Sequence, residues 1–245
     1  MTMNYLIPES EMFFNKTLSK GAQPKYYADC YYYKVDTEMN EGLKEYIVSL
    51  LLASSSLPFS SYVSYEKCMI NGRDGCRSLN FLQPGESFLP IGRLYEAVTG
   101  KPKLADTLLQ LSTAEERLDF ILDLVESIGA NRNQFREYLR VIVQLDLLIE
   151  NIDRHEFNYG LIRTVDQSFR TAPIFDNGNC LRDGAACTLC GSFEMQCTAF
   201  EFPIIPAFTI NRERFIELLT FDNTISCEPA KRLLKNLDEY NFFVR

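Results

Sequence analysis

The pattern of apolar and polar residues changes character near residue 85. Before it, residues 24–36 ("PKYYADCYYYKVD") are rich in tyrosine, which predicts two short strands around a turn, or one bent strand, ending near Asp36. Residues 60–82 predict two further strands, because "NGRDG" is a cluster of turn-forming residues. Between these segments, residues 40–55 ("NEGLKEYIVSLLLASS") place apolar side chains at helical spacing. The first part of the chain is therefore predicted to be strand, helix and strands.

The second part of the chain is predicted to be mainly helical. Thr113 and Glu116 have the spacing of a capping box before an amphipathic helix over residues 117–128, and Gly129 is a candidate C-cap. Residues 135–151 are apolar around most of the helical circumference, which predicts the buried central helix of this half. Two more amphipathic helices are expected in residues 211–221 and 228–243. The expected fold class is α+β, with a β-rich N-lobe over residues 1–88 and a mainly helical C-lobe over residues 89–245. A small-molecule site is expected in the cleft between such lobes.

Composition and charge narrow the class of partners. The chain has 245 residues and a net charge of -8, which argues against non-specific binding to nucleic acid or to an anionic membrane. We find no apolar run of membrane-spanning length and no secretory signal pattern near residue 1. Eight cysteines without such a signal favour reduced thiols in a cytoplasm, and secretion as an effector without a classical signal is the alternative.

The strongest candidate chemistry follows the buried helix. Asp153 and Asn158 lie five positions apart, and residues 159–165 and 169–175 are predicted to form a hairpin that ends just before Asp176. A hairpin returns its end beside its beginning, so Asn158 and Asp176 are expected to be neighbours. Their amide and carboxylate oxygens suit Mg²⁺, while Asp153 is placed to accept a proton from an attacking hydroxyl. The competing interpretation is that Asp153 and Asn158 are ordinary helix-end residues.

The N-terminal part supplies groups that suit a nucleotide. The segment "SKGAQPKYY" is a glycine-containing turn that enters a strand, and Lys34 lies on the next strand, where it can reach phosphates. Lys34 is alternatively an exposed strand lysine. Glu41, at the start of the following helix, is either an ion-pair partner that orients Lys34 or a carboxylate that favours the helix dipole.

These motifs in this order resemble the HipA-like serine/threonine kinases, in particular their short, single-module members. The resemblance rests on "GAQPK", "YYKVD", "NEGLKEYI", "NIDRHEFNYGL" and "IFDNG", over roughly residues 16 to 185. It implies a two-lobed, protein-kinase-like fold that binds ATP and Mg²⁺. It also implies roles for individual residues: Asp153 as catalytic base, Asn158 and Asp176 as Mg²⁺ ligands, Lys34 as the ATP-phosphate lysine, and Gly21, Ala22, Gln23 and Lys25 as parts of the nucleotide-covering loop.

Three other features have mainly structural interpretations. His155 is interpreted as a buried, hydrogen-bonded residue that holds its loop, with general base as the alternative. Tyr31 to Tyr33 are interpreted as strand core and edge rather than a stacking platform. The four cysteines Cys180, Cys187, Cys190 and Cys197 are interpreted as reduced thiols, with a zinc site or a redox-sensitive Cys187–Cys190 pair as alternatives.

The function expected from the sequence is an ATP- and Mg²⁺-dependent serine/threonine protein kinase of HipA-like type, with a toxin-like or effector role. Its expected partners are a protein substrate with a serine or threonine acceptor and an antitoxin, with no membrane and no direct nucleic-acid partner. Two alternatives remain open: a pseudokinase that acts as a nucleotide- or partner-binding component of a toxin–antitoxin-like system, and a kinase of small molecules. Retention of Lys34, Asp153, Asn158 and Asp176 together favours catalysis over the first alternative.

Overall fold

The computed structural model describes residues 3–12, 23–181 and 206–245. These residues group into two compact units. The first unit contains residues 3–12, 23–81, 175–181 and 208–245, and the second contains residues 82–174 and 206–207. The first unit is therefore assembled from separate stretches of the chain. The division into lobes at residues 88 and 89 stays a prediction.

Short strands and longer helices make up the described parts of the chain. The strands are β1 (Asn4–Tyr5), β2 (Lys25–Ala28), β3 (Tyr31–Val35), β4 (Tyr65–Ile70), β5 (Arg73–Leu79), β6 (Ser87–Pro90), β7 (Gly160–Arg163) and β8 (Phe169–Thr171). The α-helices are α1 (Glu41–Ala53), α2 (Ile91–Thr99), α3 (Leu104–Leu108), α4 (Ala114–Ser127), α5 (Arg132–Leu148), α6 (Arg212–Phe221) and α7 (Glu228–Glu239). Among the residues described, no helix is long and apolar enough to cross a membrane.

The first unit contains a five-stranded sheet in the order β1-β4-β5-β3-β2. Its two hairpins close through two-residue turns with left-handed backbone, at Asp29 and Cys30 and at Asn71 and Gly72. Turns of this kind match the twist of antiparallel strands, and Asn-Gly is their strongest sequence signal. The two-strand interpretation of residues 24–36 is confirmed. The second turn is shorter than the "NGRDG" cluster, because Arg73 already pairs with Ile70 in the sheet.

Helix α1 packs on one face of this sheet, against β4 and β5. Gly42 permits the close approach, because a Cβ atom there would lie 2.9 Å from the backbone nitrogen of Cys76 and 2.9 Å from the carbonyl carbon of Gly75. Gly75 lets neighbouring strands approach, since a Cβ atom there would lie 2.3 Å from the carbonyl oxygen of Lys34 on β3. The opposite face carries an apolar core, which consists of Ile7, Tyr26, Tyr33, Val35, Cys68 and Ile70.

The C-terminal helices complete the first unit. Helices α6 and α7 both contact α1. The chain before α6 also bonds to the end of α1, since the Ser56 N–H donates to the Thr209 carbonyl at 2.8 Å and the Asn211 N–H donates to the Ser54 carbonyl at 2.8 Å. Helix α1 is therefore held between the sheet and the C-terminal part of the chain.

The second unit combines helices α2 to α5 with a three-stranded sheet in the order β6-β7-β8. The capping box of Thr113 and Glu116 is present at the start of α4, and Gly129 follows that helix with a φ of 83°. Helix α5 is the predicted central helix, and its fully buried residues include Phe135, Leu139, Ile142, Leu145 and Leu148.

The hairpin predicted after Asn158 is confirmed, with shorter strands than expected. Strands β7 and β8 pair antiparallel over residues 161–163 and 169–171. The Ala172 N–H still donates to the Gly160 carbonyl at 3.0 Å, and β8 itself ends at Thr171. Pairing therefore stops before the predicted end at residue 175.

Candidate active site

The first unit contains a buried lysine between two carboxylates. Lys34 lies on β3, is 7% exposed, and donates from Nζ to Glu45 Oε1 and to Asp176 Oδ1, each at 2.6 Å. The same Nζ lies 3.4 Å from the Tyr65 hydroxyl and 4.9 Å from the centre of the Tyr65 ring. The alternative interpretation of Lys34 as an exposed strand residue is therefore wrong.

The two carboxylates set the charge of this lysine. Burial by itself lowers the pKa of Lys34, but the attraction of Asp176 and Glu45 outweighs burial and raises that pKa well above its ordinary value. Lys34 is thus a fixed cation at neutral pH. A cation of this kind is suited to binding an anionic group such as a phosphate oxygen.

The ion-pair partner of Lys34 is Glu45, so the interpretation of Glu41 as that partner is corrected. The Glu41 carboxylate accepts hydrogen bonds from the backbone N–H of Thr37 at 3.0 Å and from the Thr37 hydroxyl at 2.5 Å. Glu41 occupies the first turn of α1, where a carboxylate favours the helix dipole. Glu45 lies one turn further along on the same side of the helix, with 1% of its surface exposed.

The segment that carries Asp176 is bound through its backbone. Asp176 has left-handed backbone with a φ of 60°, and its N–H donates to the Tyr65 hydroxyl at 3.3 Å. The next N–H, of Asn177, donates to Glu45 Oε2 at 2.9 Å. A Cβ at Gly178 would lie 2.9 Å from the Glu41 carbonyl oxygen and 3.2 Å from Glu45 Cγ, so glycine lets the segment pass close to α1. The Glu45 carboxylate therefore joins Lys34 to the Asp176 segment.

Tyr65 and Ser49 connect this network to strand β4 and helix α1 by further hydrogen bonds. The Ser49 hydroxyl donates to the Glu45 carbonyl at 2.9 Å and accepts a hydrogen bond from the Tyr65 N–H at 2.9 Å. Burial, followed by the nearby Glu45 charge, raises the pKa of Tyr65 and keeps its phenol neutral. Sequence reasoning missed Glu45, Ser49 and Tyr65. The sequence held a signal only for Glu45, which is a charged residue on the apolar side of α1. Buried carboxylates are rarely left unpaired, so a partner for Glu45 could have been expected.

In the second unit, the loop after α5 is built on a different ion pair. Arg154 is 1% exposed, and its guanidinium binds both carboxylate oxygens of Asp146 in α5, at 3.0 and 3.1 Å. The Asn151 side chain donates to Asp146 at 2.9 Å and accepts from the Asp153 N–H at 3.1 Å. Asp146, Asn151 and Arg154 were not among the predicted site residues. Asn151 therefore makes the contacts with helix α5 that are typical of a residue at a helix end.

This framework leaves Asp153 and Asn158 with distinct environments. Asp153 is exposed, whereas Asn158 is 2% exposed. The Asn158 N–H donates to the His155 carbonyl at 2.8 Å, and its side-chain amide donates to the Asp153 carbonyl at 3.2 Å. The Asn158 side-chain oxygen is buried and has no hydrogen-bond partner among the described residues. A buried amide oxygen without such a partner is suited to bind Mg²⁺, the ion for which the sequence predicts Asn158 as a ligand.

His155 and helix α2 hold the same loop. His155 is half-buried rather than buried, and its Nδ1 accepts a hydrogen bond from the Phe157 N–H at 3.3 Å, a local contact of the loop-holding kind expected of it. At the N-terminus of α2, the N–H of Gly92 donates to the Glu156 carbonyl at 2.9 Å, and the N–H of Ile91 donates to the Tyr159 carbonyl at 3.1 Å. The first N–H groups of a helix lack partners within it, so the loop supplies acceptors for them.

The remaining predicted site residues are only partly described. Gln23 is partly buried, and its side-chain nitrogen has no hydrogen-bond partner among the described residues. Lys25 pairs directly with Lys34 across β2 and β3. Gly21 and Ala22 lie outside the described residues. So do Cys187, Cys190 and Cys197, whereas Cys180 is buried.

Comparison with known proteins shows what this fold resembles. No protein-family model matches the chain, and no curated protein matches it. Among solved structures, it is similar to the proinflammatory kinase CtkA of Helicobacter pylori, with 16% identity over 99% of this chain and 95% of that chain and a TM-score of 0.64. It is also similar to a chain of the HipA–HipB–operator DNA complex of Shewanella oneidensis MR-1, with 13% identity, 96% and 57% coverage, and a TM-score of 0.47.

The likeness to CtkA establishes the fold. The chain has the two-lobed, protein-kinase-like α+β fold of that protein, so the fold class predicted from the sequence is confirmed. The resemblance expected from the sequence is confirmed as a likeness in fold to CtkA.

Proposed function

We propose that this chain is an ATP- and Mg²⁺-dependent serine/threonine protein kinase of the HipA-like type. The observation that carries the proposal is the buried Lys34, bound at 2.6 Å by Glu45 from a helix and by Asp176 from the segment after the hairpin. Phosphoryl transfer in protein kinases requires a strand lysine paired with a helix glutamate, together with a metal-binding aspartate. The fold shared with CtkA is compatible with this chemistry.

On the nucleotide side, the proposal assigns the phosphates to Lys34 and to the loop before β2. Lys34 is a fixed cation, so it donates to phosphate oxygens without a change of its protonation state. The buried side-chain nitrogen of Gln23 is a donor that an acceptor on the nucleotide satisfies. Lys25 and the backbone at Gly21 and Ala22 complete the loop that the family resemblance implies.

For the metal, the proposal assigns Asn158 and Asp176 as ligands. The buried Asn158 side-chain oxygen and the carboxylate of Asp176 are hard oxygen donors, which Mg²⁺ prefers. When bound, Mg²⁺ would neutralise the charge that develops on the phosphates. Lys34 holds the Asp176 carboxylate until that cation is present.

Asp153 is assigned to the acceptor hydroxyl. Its carboxylate is exposed, so a serine or threonine side chain can reach it and give up its proton. The Asp146–Arg154 pair and Asn151 fix the backbone on which Asp153 lies. Most of the catalytic effect would come from positioning and from stabilisation of charge.

The biological role follows only as part of the proposal. A toxin-like or effector kinase acts on a protein substrate, and an antitoxin is the expected partner of the toxin-like form. A cytoplasmic location and the absence of nucleic-acid and membrane partners also remain predictions.

The proposal is tested by incubating the purified chain with Mg²⁺ and ATP labelled at the γ-phosphate. Self-phosphorylation is located by mass spectrometry, and ATP turnover is measured in parallel. Asp153→Asn and Asp176→Asn keep side-chain shape and should abolish label on serine or threonine. Asp166→Asn, in the turn between β7 and β8, is the matched control and should retain it.

Other outcomes separate the alternatives. Stabilisation of the chain by ATP, without label on protein or on added small molecules, would favour the pseudokinase. Label on a small molecule and on no protein would favour the small-molecule kinase. The absence of any stabilisation by ATP with Mg²⁺ would exclude the proposed nucleotide site.

A further inference from the structure

We propose that the Tyr65 hydroxyl is a positioning group that aims the Asp176 carboxylate for cation binding. This inference rests on the proposed function, because it concerns the carboxylate assigned to Mg²⁺. It extends that function by naming a residue outside the predicted site that determines the metal dependence of nucleotide binding.

The position of the hydroxyl carries the inference. It lies 3.4 Å from Lys34 Nζ and 3.3 Å from the backbone nitrogen of Asp176, and it accepts hydrogen bonds from both groups. One buried oxygen atom therefore touches the cation that holds the Asp176 carboxylate and the backbone that carries this carboxylate. Asn177, the next residue, is held separately by Glu45 at 2.9 Å.

The ring and the hydroxyl of Tyr65 have separable roles. The ring packs in an apolar cluster with Val63 and Cys76, and Phe81 and Phe175 pack against that cluster. A phenylalanine at position 65 keeps this packing and removes only the oxygen. Loss of packing therefore does not account for the effect of such a substitution.

The backbone of Asp176 makes this hydrogen bond important. Its left-handed φ of 60° is uncommon for a residue with a side chain and needs support from its surroundings. Without the Tyr65 oxygen, the Asp176 N–H loses the acceptor that now holds it, which favours rotation of the segment. The carboxylate would then point away from the direction that Lys34 now fixes.

Two variants are compared with the parent chain, and each is followed by two measurements. Tyr65→Phe removes the hydroxyl, and Tyr62→Phe is the matched control, because Tyr62 is also buried in the first unit. The first measurement is the Mg²⁺ concentration that half-saturates the increase in ATP affinity, by calorimetry. The second is hydrogen exchange of the Asp176 and Asn177 amides by NMR without nucleotide.

We expect Tyr65→Phe to need about tenfold more Mg²⁺, which is the factor for one lost buried hydrogen bond, while its ATP affinity without metal stays within about twofold. The Asp176 amide should exchange about tenfold faster, and the Asn177 amide should be unchanged. Tyr62→Phe should match the parent in both measurements. Equal Mg²⁺ dependence and equal exchange in Tyr65→Phe and the parent would overturn the inference.

The two measurements separate this inference from the proposed function. If the parent chain binds no ATP, the proposed function fails, and amide exchange alone decides whether the hydroxyl positions Asp176. If Tyr65→Phe does not fold, Tyr65→Met serves instead, since methionine also lacks the hydroxyl and adapts to irregular apolar space.

Discussion

A buried cation organises each candidate region, but the two regions use it differently. In the first unit, Lys34 binds Asp176, which is itself a predicted functional group. In the second unit, Arg154 binds Asp146, and neither residue is predicted to take part in the chemistry. In the first region the ion pair therefore holds a carboxylate with a proposed function, whereas in the second region the ion pair only fixes the loop that carries Asp153. Substitutions should affect both stability and function in the first region and should separate them in the second.

The largest effect is expected from Lys34→Met. This change leaves the Glu45 carboxylate, which is 1% exposed, without its cation, and it should lower the free energy of unfolding by about 3–5 kcal/mol. Urea unfolding at pH 7 measures the change. The double variant Lys34→Met/Glu45→Leu should be more stable than Lys34→Met alone, because it removes the buried charge as well.

A second lysine pair in the first unit provides the control for this prediction. Lys67 binds Asp222 at 2.5 Å, but the two side chains are 30% and 28% exposed. Lys67→Met should therefore cost no more than about 1 kcal/mol. Equal losses for Lys34→Met and Lys67→Met would contradict the claim that burial distinguishes the two pairs.

A somewhat smaller effect is expected from Asp146→Asn. The substitution leaves Arg154 buried without a carboxylate, and it should reduce the free energy of unfolding by about 3 kcal/mol. Denaturant unfolding is compared with Asp123→Asn, which removes an exposed partner of Arg132 and should cost less than about 1 kcal/mol. If Asp146→Asn loses no more free energy of unfolding than this surface variant, the Asp146–Arg154 pair does not stabilise the loop.

The smallest effect concerns Asp36, a half-buried carboxylate for which no cation partner is found among the described residues. Burial raises the pKa of Asp36 above its usual 3.8, against the hydrogen bond from the Gly42 N–H, which lowers it. A raised folded-state pKa contributes stability below about pH 4 that is lost as pH rises through that pKa. Asp36→Asn should therefore be more stable than the parent at pH 7, by less than about 1 kcal/mol.

Thermal unfolding of Asp36→Asn and the parent between pH 3 and pH 8 measures this difference. The advantage of the variant should shrink as pH falls below about 4, because the parent's Asp36 is then protonated in both states. An advantage that is independent of pH would show that charge is not its cause.

The sequence predicts the order of the elements better than it predicts the contacts at the site. Local signals were sufficient for the two N-terminal hairpins, the Thr113–Glu116 capping box and the hairpin after Asn158, since each depends on neighbouring residues.

Long-range contacts explain the parts that sequence reasoning missed. Glu41 and Glu45 differ by one helical turn, and which of them reaches Lys34 depends on how α1 lies on the sheet, where Gly42 approaches the backbone of Gly75 and Cys76. Tyr65 lies 111 positions from Asp176, so no local pattern connects the phenol with that backbone. The packing of α6 and α7 on α1 is of the same long-range kind.

The packing of α6 and α7 on α1 can form only late in the synthesis of the chain. Residues 23–81 leave the ribosome long before residues 208–245, and at about 5–20 residues per second the interval is roughly ten seconds. During that time, α1 has not yet received α6 and α7, and the segment with Asp176 is still being made. A nascent chain therefore cannot complete the Lys34 network before residue 176 has been made, and α1 gains its packing against α6 and α7 only later still.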